Sequence, residues 1–220
     1  NPEGKPWNPS RWRTDSINGT MTVDQIVDLA TLVEKHQIPT IFNIGHSCMP
    51  FITLETAARV LQAAPNYTVG FLSAEDENPL EVPGFASHFL KPLSELCTRG
   101  GGNKLAITKN KGLWWMSMPA RPEVFDPLFG EGRHATMQGR TEDSNSRSPE
   151  INLMARFGLR QAGLLPSMHA STIGDLYSFN RFWQWEYPKQ GHAWLRLLIA
   201  HALLGANSFE YRTPGLITGD

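Results

Sequence analysis

Ile38-Pro39-Thr40-Ile41-Phe42-Asn43-Ile44-Gly45-His46 is a short apolar run that ends in polar side chains. Its β-branched and aromatic residues, without strict alternation, read as a buried strand. Upstream, Val23, Ile26, Val27, Ala30 and Val33 recur at helical spacing, Thr22 is placed to cap that helix ahead of Asp24, and the pattern ends near His36. Downstream, residues 53–64 read as a helix stopped by Pro65, and residues 67–72 as a second strand running into Ser73-Ala74-Glu75-Asp76-Glu77. A strand, a helix and a strand in succession form the unit from which parallel sheets are built.

The same unit recurs along the chain. A weaker helix over 85–97 and a Gly100-Gly101-Gly102 turn lead to a third strand at 104–108, which residues 114–118 extend. After a short helical piece at 122–129 come a fourth strand (134–138), a helix opened by Pro149 and running through Gln161, and a fifth strand (164–169). A sixth strand at 182–187, an apolar helix at 191–204 and a seventh strand at 208–212 complete the series. Seven strands alternating with helices suit a closed barrel better than an open sheet. No glycine-rich phosphate loop follows any of them, which argues against a nucleotide-binding fold. The expected fold is therefore an α/β, (β/α)8 TIM-type barrel lacking its first strand and closing helix. It occupies residues 1–220 as one catalytic domain, a fragment of a longer chain.

Composition narrows the function. A net charge of −1 over 220 residues argues against nucleic acid as a partner, and no apolar run of membrane-spanning length is present. Two cysteines, Cys48 and Cys97, make no disulfide framework. Seven tryptophans, with 19 glycines and 16 prolines, fit a loop-rich enzyme that stacks sugars on aromatic rings, and equally a tryptophan-packed core.

In a barrel the active site lies at the C-terminal ends of the strands. Those ends carry Asn43 and His46; Glu75, Asp76 and Glu77; Lys109 and Asn110; Gln138, Arg140, Glu142 and Asp143; His169; Glu186; and Glu210 with Arg212. A ring of carboxylates with interspersed basic groups matches glycoside hydrolysis. One carboxyl protonates the leaving oxygen, and the other attacks the anomeric carbon or activates water. Glu186, flanked by Trp185 and Tyr187, is the expected nucleophile or base. Glu77 or Glu75 is the expected acid, with Asp143 in reserve. His46, Asn43, Arg140, His169, Trp114, Trp185, Glu210 and Arg212 are the expected substrate contacts.

The stretch Trp185-Glu186-Tyr187, Gly191, Arg196, Ala200-His201, Gly205-Ala206 and Phe209-Glu210-Tyr211-Arg212 resembles the end of the barrel in family 42 β-galactosidases and related barrel glycosidases. The resemblance covers about 30 residues, mostly a packing pattern. It implies that Glu186 occupies the nucleophile's position and that the last strand is the eighth. That group carries an Asn-Glu pair after its fourth strand, whereas Ile107-Thr108-Lys109-Asn110-Lys111 has no glutamate. The acid then comes from Glu75, Glu77 or Asp143.

The reading is an O-glycoside hydrolase acting on an oligo- or polysaccharide, secreted or periplasmic, needing no cofactor and no metal. Its partners are the carbohydrate and further domains of the same chain, without nucleic acid or membrane. Two alternatives stand beside it. One is a metal-dependent barrel hydrolase or deacetylase using His46 and His169. The other is a carbohydrate-binding barrel without catalysis, favoured by the missing Asn-Glu pair.

Overall fold

The computed structural model describes residues 21–76, 84–100, 104–110, 113–130, 137–141, 149–172 and 192–211. The chain divides into two compact units, Asn1–Ala106 and Ile107–Asp220.

In the first unit, helix α1 (Val23–Lys35) starts where Thr22 and Gln25 cap each other reciprocally. The Thr22 hydroxyl accepts from the Gln25 N–H, and the Gln25 side chain accepts from the Thr22 N–H. Strand β1 (Thr40–His46) follows, then a two-residue strand β2 (Met49–Pro50) that turns back antiparallel on it. Helix α2 (Leu54–Ala63) is capped by Thr53 and buries Ala57, Val60 and Leu61, one face at i, i+3, i+4. It stops just before Pro65, which cannot donate to continue the ladder.

Strand β3 (Thr68–Ala74) lies parallel to β1 with a bulge in β1 between Asn43 and Gly45. A wide π turn (Ala86–Leu90) runs into helix α3 (Lys91–Arg99). Pro92 opens α3, and its ring would clash with the carbonyl four residues back, so the wide turn falls where the proline demands slack. Ile44, Phe71, Leu93 and Cys97 are among the fully buried side chains of this unit.

Two polar ties hold its N-terminal layer. The Glu34 carboxylate accepts from the Asn66 N–H, the Asn66 amide (2.6 Å) and the Tyr67 N–H. The buried Lys104 ammonium donates to the Pro65 carbonyl at 2.5 Å. Desolvation acts to raise the Glu34 carboxyl, but the Asn66 and Tyr67 hydrogen bonds and the Lys104 charge outweigh it, holding the group below its ordinary value. Burial pushes the Cys97 thiol up to about 12, with Lys104 opposing.

Strand β4 (Leu105–Asn110) spans the division between the units. In the second unit, helix α4 (Trp114–Ser117) runs through a 3-10 turn (Met118–Ala120) to α5 (Pro122–Phe129). Strand β5 (Met137–Thr141), helix α6 (Pro149–Gln161), strand β6 (Ser167–Thr172), helix α7 (His192–Leu203) and strand β7 (Ser208–Tyr211) follow.

The hydrogen-bonded strand order is β2-β1-β3-β4-β5-β6-β7. This corrects the expected (β/α)8 barrel, for three reasons. The sheet is mixed, because β2 is antiparallel, and among the described residues it ends at β2 and β7 without closure. Strand β6 pairs in parallel with β5 through His169 on one edge and with β7 through His169 to Thr172 on the other. A strand has two edges, so the sheet leaves no place between β6 and β7 for the sixth strand expected at 182–187, a segment outside the described residues. Finally, Trp114–Ser117 is a helix and does not extend the third strand. Both its tryptophans are buried, and a four-residue apolar run does not reveal its period.

Candidate functional site

The residues singled out in sequence fall into two groups. The first is at the C-terminal ends of β1 and β3. There the chain leaves β1 through Ser47 and Cys48, both in the left-handed region (φ 52° and 58°), and leaves β3 through Glu75, also left-handed (φ 57°). Non-glycine residues rarely adopt this conformation, and three of them converge here. What holds the turn is Asp76, buried at 2 % exposure. Its Oδ1 accepts from the Cys48 N–H at 2.8 Å and from the Ser73 hydroxyl at 3.0 Å, and the Ser47 N–H donates to the Ala74 carbonyl at 2.9 Å. Asp76 is thus a brace that clamps the β1–β2 turn onto the end of β3.

That clamp brings His46 and Glu75 together. His46 Nε2 lies 3.5 Å from Glu75 Oε2, and its Nδ1 shares a 2.8 Å hydrogen bond with the Ser47 hydroxyl. The His46 side chain is 15 % exposed and that of Glu75 7 %, so one edge of the pair reaches solvent. The β1 bulge ends one residue before His46. Bulges are one of the ways a sheet re-aims a side chain beside a site. Asn43, on the other side of the bulge, is exposed.

The second group lies across β5, β6 and β7. Gln138 is its hub: its Oε1 accepts from Arg140 Nε at 2.9 Å, and its Nε2 donates to the Ser167 hydroxyl at 2.7 Å and the Ser208 hydroxyl at 3.2 Å. The Ser167 hydroxyl donates to Asn207 Oδ1, and His169 Nδ1 bonds the Ser208 hydroxyl at 2.7 Å. Arg140 and His169 are buried at 6 % and 2 % exposure.

Beneath this network the fully buried Arg156 of α6 donates to the His169 carbonyl (2.7 Å) and meets His201 Nε2 of α7 at 2.8 Å. A guanidinium only donates, so His201 Nε2 is the acceptor and the ring's proton sits on Nδ1. Trp114 packs edge-on against Trp115 at 4.7 Å, and Trp115 donates to the Arg140 carbonyl. Trp114 is buried in that packing, at 6 % exposure.

The structure therefore joins Glu75 to His46, and joins Arg140 to His169 through Gln138 and Ser208. Glu77, Asp143, Trp185, Glu186 and Arg212 lie outside the described residues. Glu210 lies in β7 opposite Ser171. Among the described residues no group of three or more His, Cys, Asp or Glu side chains is arranged to hold a metal ion. No helix there is long and apolar enough to cross a membrane. Sequence reasoning missed Ser47, Asp76 as a brace, Ser167, Asn207, Ser208, Arg156 and His201. The first two sit beside residues it did select, whereas the others become visible only once strand pairing is known.

Comparison with known proteins adds one finding. No curated protein and no solved structure matches the chain significantly. The family model described as lambda-carrageenase middle domain matches residues 9–213. This family differs from the family 42 β-galactosidases that the C-terminal stretch resembles, and it is one of carbohydrate-active enzyme domains. With the match spanning nearly its whole length, the chain belongs to the lambda-carrageenase middle domain family.

Proposed function

We propose that the chain hydrolyses glycosidic bonds of a lambda-carrageenan-type polysaccharide outside the cell, by a two-carboxylate mechanism in which Glu75 is one of the carboxylates. The observation that carries this reading is the family match over residues 9–213. Within that span Glu75 supports it as a nearly buried acid at the C-terminal end of a parallel strand, in a strained backbone conformation and against an imidazole. Asp76 is assigned to bracing the turn instead, since its Oδ1 accepts from Cys48 and Ser73. The second carboxylate is another of the acids selected from the sequence.

A second reading has its own support. The family is described as a middle domain, which favours a part that binds the polymer while bonds are broken elsewhere. Measuring reducing ends released from lambda-carrageenan by the purified full chain, alongside retardation of the chain in carrageenan-containing native gels, separates the two. Release of ends, with none from starch, supports hydrolysis. Retardation without release gives the binding reading.

A further inference from the structure

We infer that the outward face of α6 is the contact of a homodimer, in which the helix packs antiparallel on the same helix of a second copy across a two-fold axis. The inference stands on the surface of the second unit and does not depend on the proposed function.

Helix α6 has two apolar faces. One turns inward through Leu153 and Leu159, with the fully buried Arg156 between them. The other carries Ile151, Met154, Ala155 and Gly158, a stripe at i, i+3, i+4 and i+7. Ala162 continues it, because its N–H still donates to the Gly158 carbonyl. A helix that packs on one side only is ordinarily polar on the other. Here Ile151 and Met154 are 43 % and 56 % exposed, and Met116 of α4, at 58 %, borders the same open hollow. A Cβ at Gly158 would meet no atom of the described residues within 4 Å, so the stripe is open there too.

The order of sizes along the stripe selects the partner. Its large side chains, Ile151 and Met154, lie in the first half, and Gly158 and Ala162 in the second. Turned end for end against itself, the helix sets Ile151 against Ala162 of the second copy and Met154 against Gly158, so projections meet hollows in a single register. A two-fold axis keeps corresponding flanks on the same side. Glu150 of each copy then comes opposite Gln161 of the other, a carboxylate facing an amide that donates, and both are exposed at the rim. Antiparallel packing also pairs opposite ends of the two helix dipoles.

The area agrees. At these exposures the stripe and Met116 offer about 400 Å² of apolar surface, close to the apolar share of the about 800 Å² that each partner gives to a standard interface.

The test is sedimentation equilibrium of the purified full chain over a range of micromolar concentrations, for wild type, Met154→Glu and Gly158→Lys. The wild-type mass is expected to rise with concentration toward that of two chains, and each variant to weaken the association by about tenfold or more. Gly158→Lys raises helix propensity at an open position, so circular dichroism should show it folded while the dimer is lost.

Register is read by oxidising Ile151→Cys and Ala162→Cys chains, separately and mixed. Cys48 and Cys97 are buried and do not compete. Disulfide-linked dimer should form in the mixture and not in either variant alone, because like positions lie about 16 Å apart along an antiparallel pair. A wild-type chain that stays monomeric at every concentration overturns the inference and gives the face to another occupant. A dimer unmoved by both stripe variants, or cross-linking as ready in the separate chains as in the mixture, overturns it as well.

Discussion

Replacing Asp76 by alanine is expected to destabilise the first unit well beyond an ordinary surface substitution. The change removes one carboxylate oxygen that accepts two buried hydrogen bonds, from the Cys48 N–H at 2.8 Å and the Ser73 hydroxyl at 3.0 Å. Hydrogen bonds to a charged group contribute about 1.5–3 kcal/mol each, and a buried donor left without an acceptor costs about 1–3 kcal/mol. The two share an acceptor and do not add fully, which leaves about 3 kcal/mol for the pair. For a chain of this size each kcal/mol lowers the melting temperature by about 2–4 °C, so Asp76→Ala should melt about 6–12 °C below wild type.

Asp76→Asn keeps an acceptor oxygen but not its charge, and should lose about half as much. Differential scanning calorimetry at neutral pH reads both. An Asp76→Ala variant that melts within 1–2 °C of wild type, against an expectation of about 6–12 °C, would refute the assignment of Asp76 as a brace.

Other substitutions probe separate parts of the account. At Gly70 a Cβ would overlap the Leu105 carbonyl oxygen and lie 2.8 Å from the Leu105 nitrogen, both backbone atoms that cannot swing away; Gly70→Ala should cost about 3 kcal/mol in urea unfolding. Arg156→Met leaves the His169 carbonyl and His201 Nε2 without their donor in a fully buried site, at a cost of about 2–3 kcal/mol by the same method. Glu34 has its carboxyl held below the ordinary 4.5, so its contribution is complete above that pH and is lost as pH falls through the lower folded value. The melting-temperature gap between wild type and Glu34→Gln should accordingly close on acidification below 4.5. Cys97, buried with its thiol pushed up to about 12, should resist iodoacetamide at neutral pH until the protein is unfolded, as mass spectrometry will show.

How far the sequence could be read depended on whether a feature was local. Helix α1 declares itself through Thr22 as a cap and its apolar spacing, and helix α2 through Pro65 as a stop. The bounds of α6 fall where Pro149 and the periodicity place them. Strand pairing is not local. The apolar run at 38–46 shows that β1 is a strand, but not that Met49 and Pro50 fold back on it, since a two-residue strand has no period. Equally, nothing between Ser167 and Ser208 announces that these two strands are neighbours, and that pairing, with the antiparallel β2, is part of what overturned the closed barrel.

The candidate site divides the same way. Glu75 and His46 were selectable because polar residues follow apolar strands. Their contact, and the demotion of Asp76 to a support, depend on a bulge and three left-handed residues that carry no glycine signal.

The most direct test of the central claim is the turnover of lambda-carrageenan by Glu75→Gln, with circular dichroism and melting temperature confirming that the variant folds. Loss of kcat by about 10³-fold or more, with the polymer still bound, is the predicted result for a carboxylate that takes part in bond cleavage. Turnover within a few-fold of wild type would contradict it and move the catalytic carboxylates elsewhere in the chain.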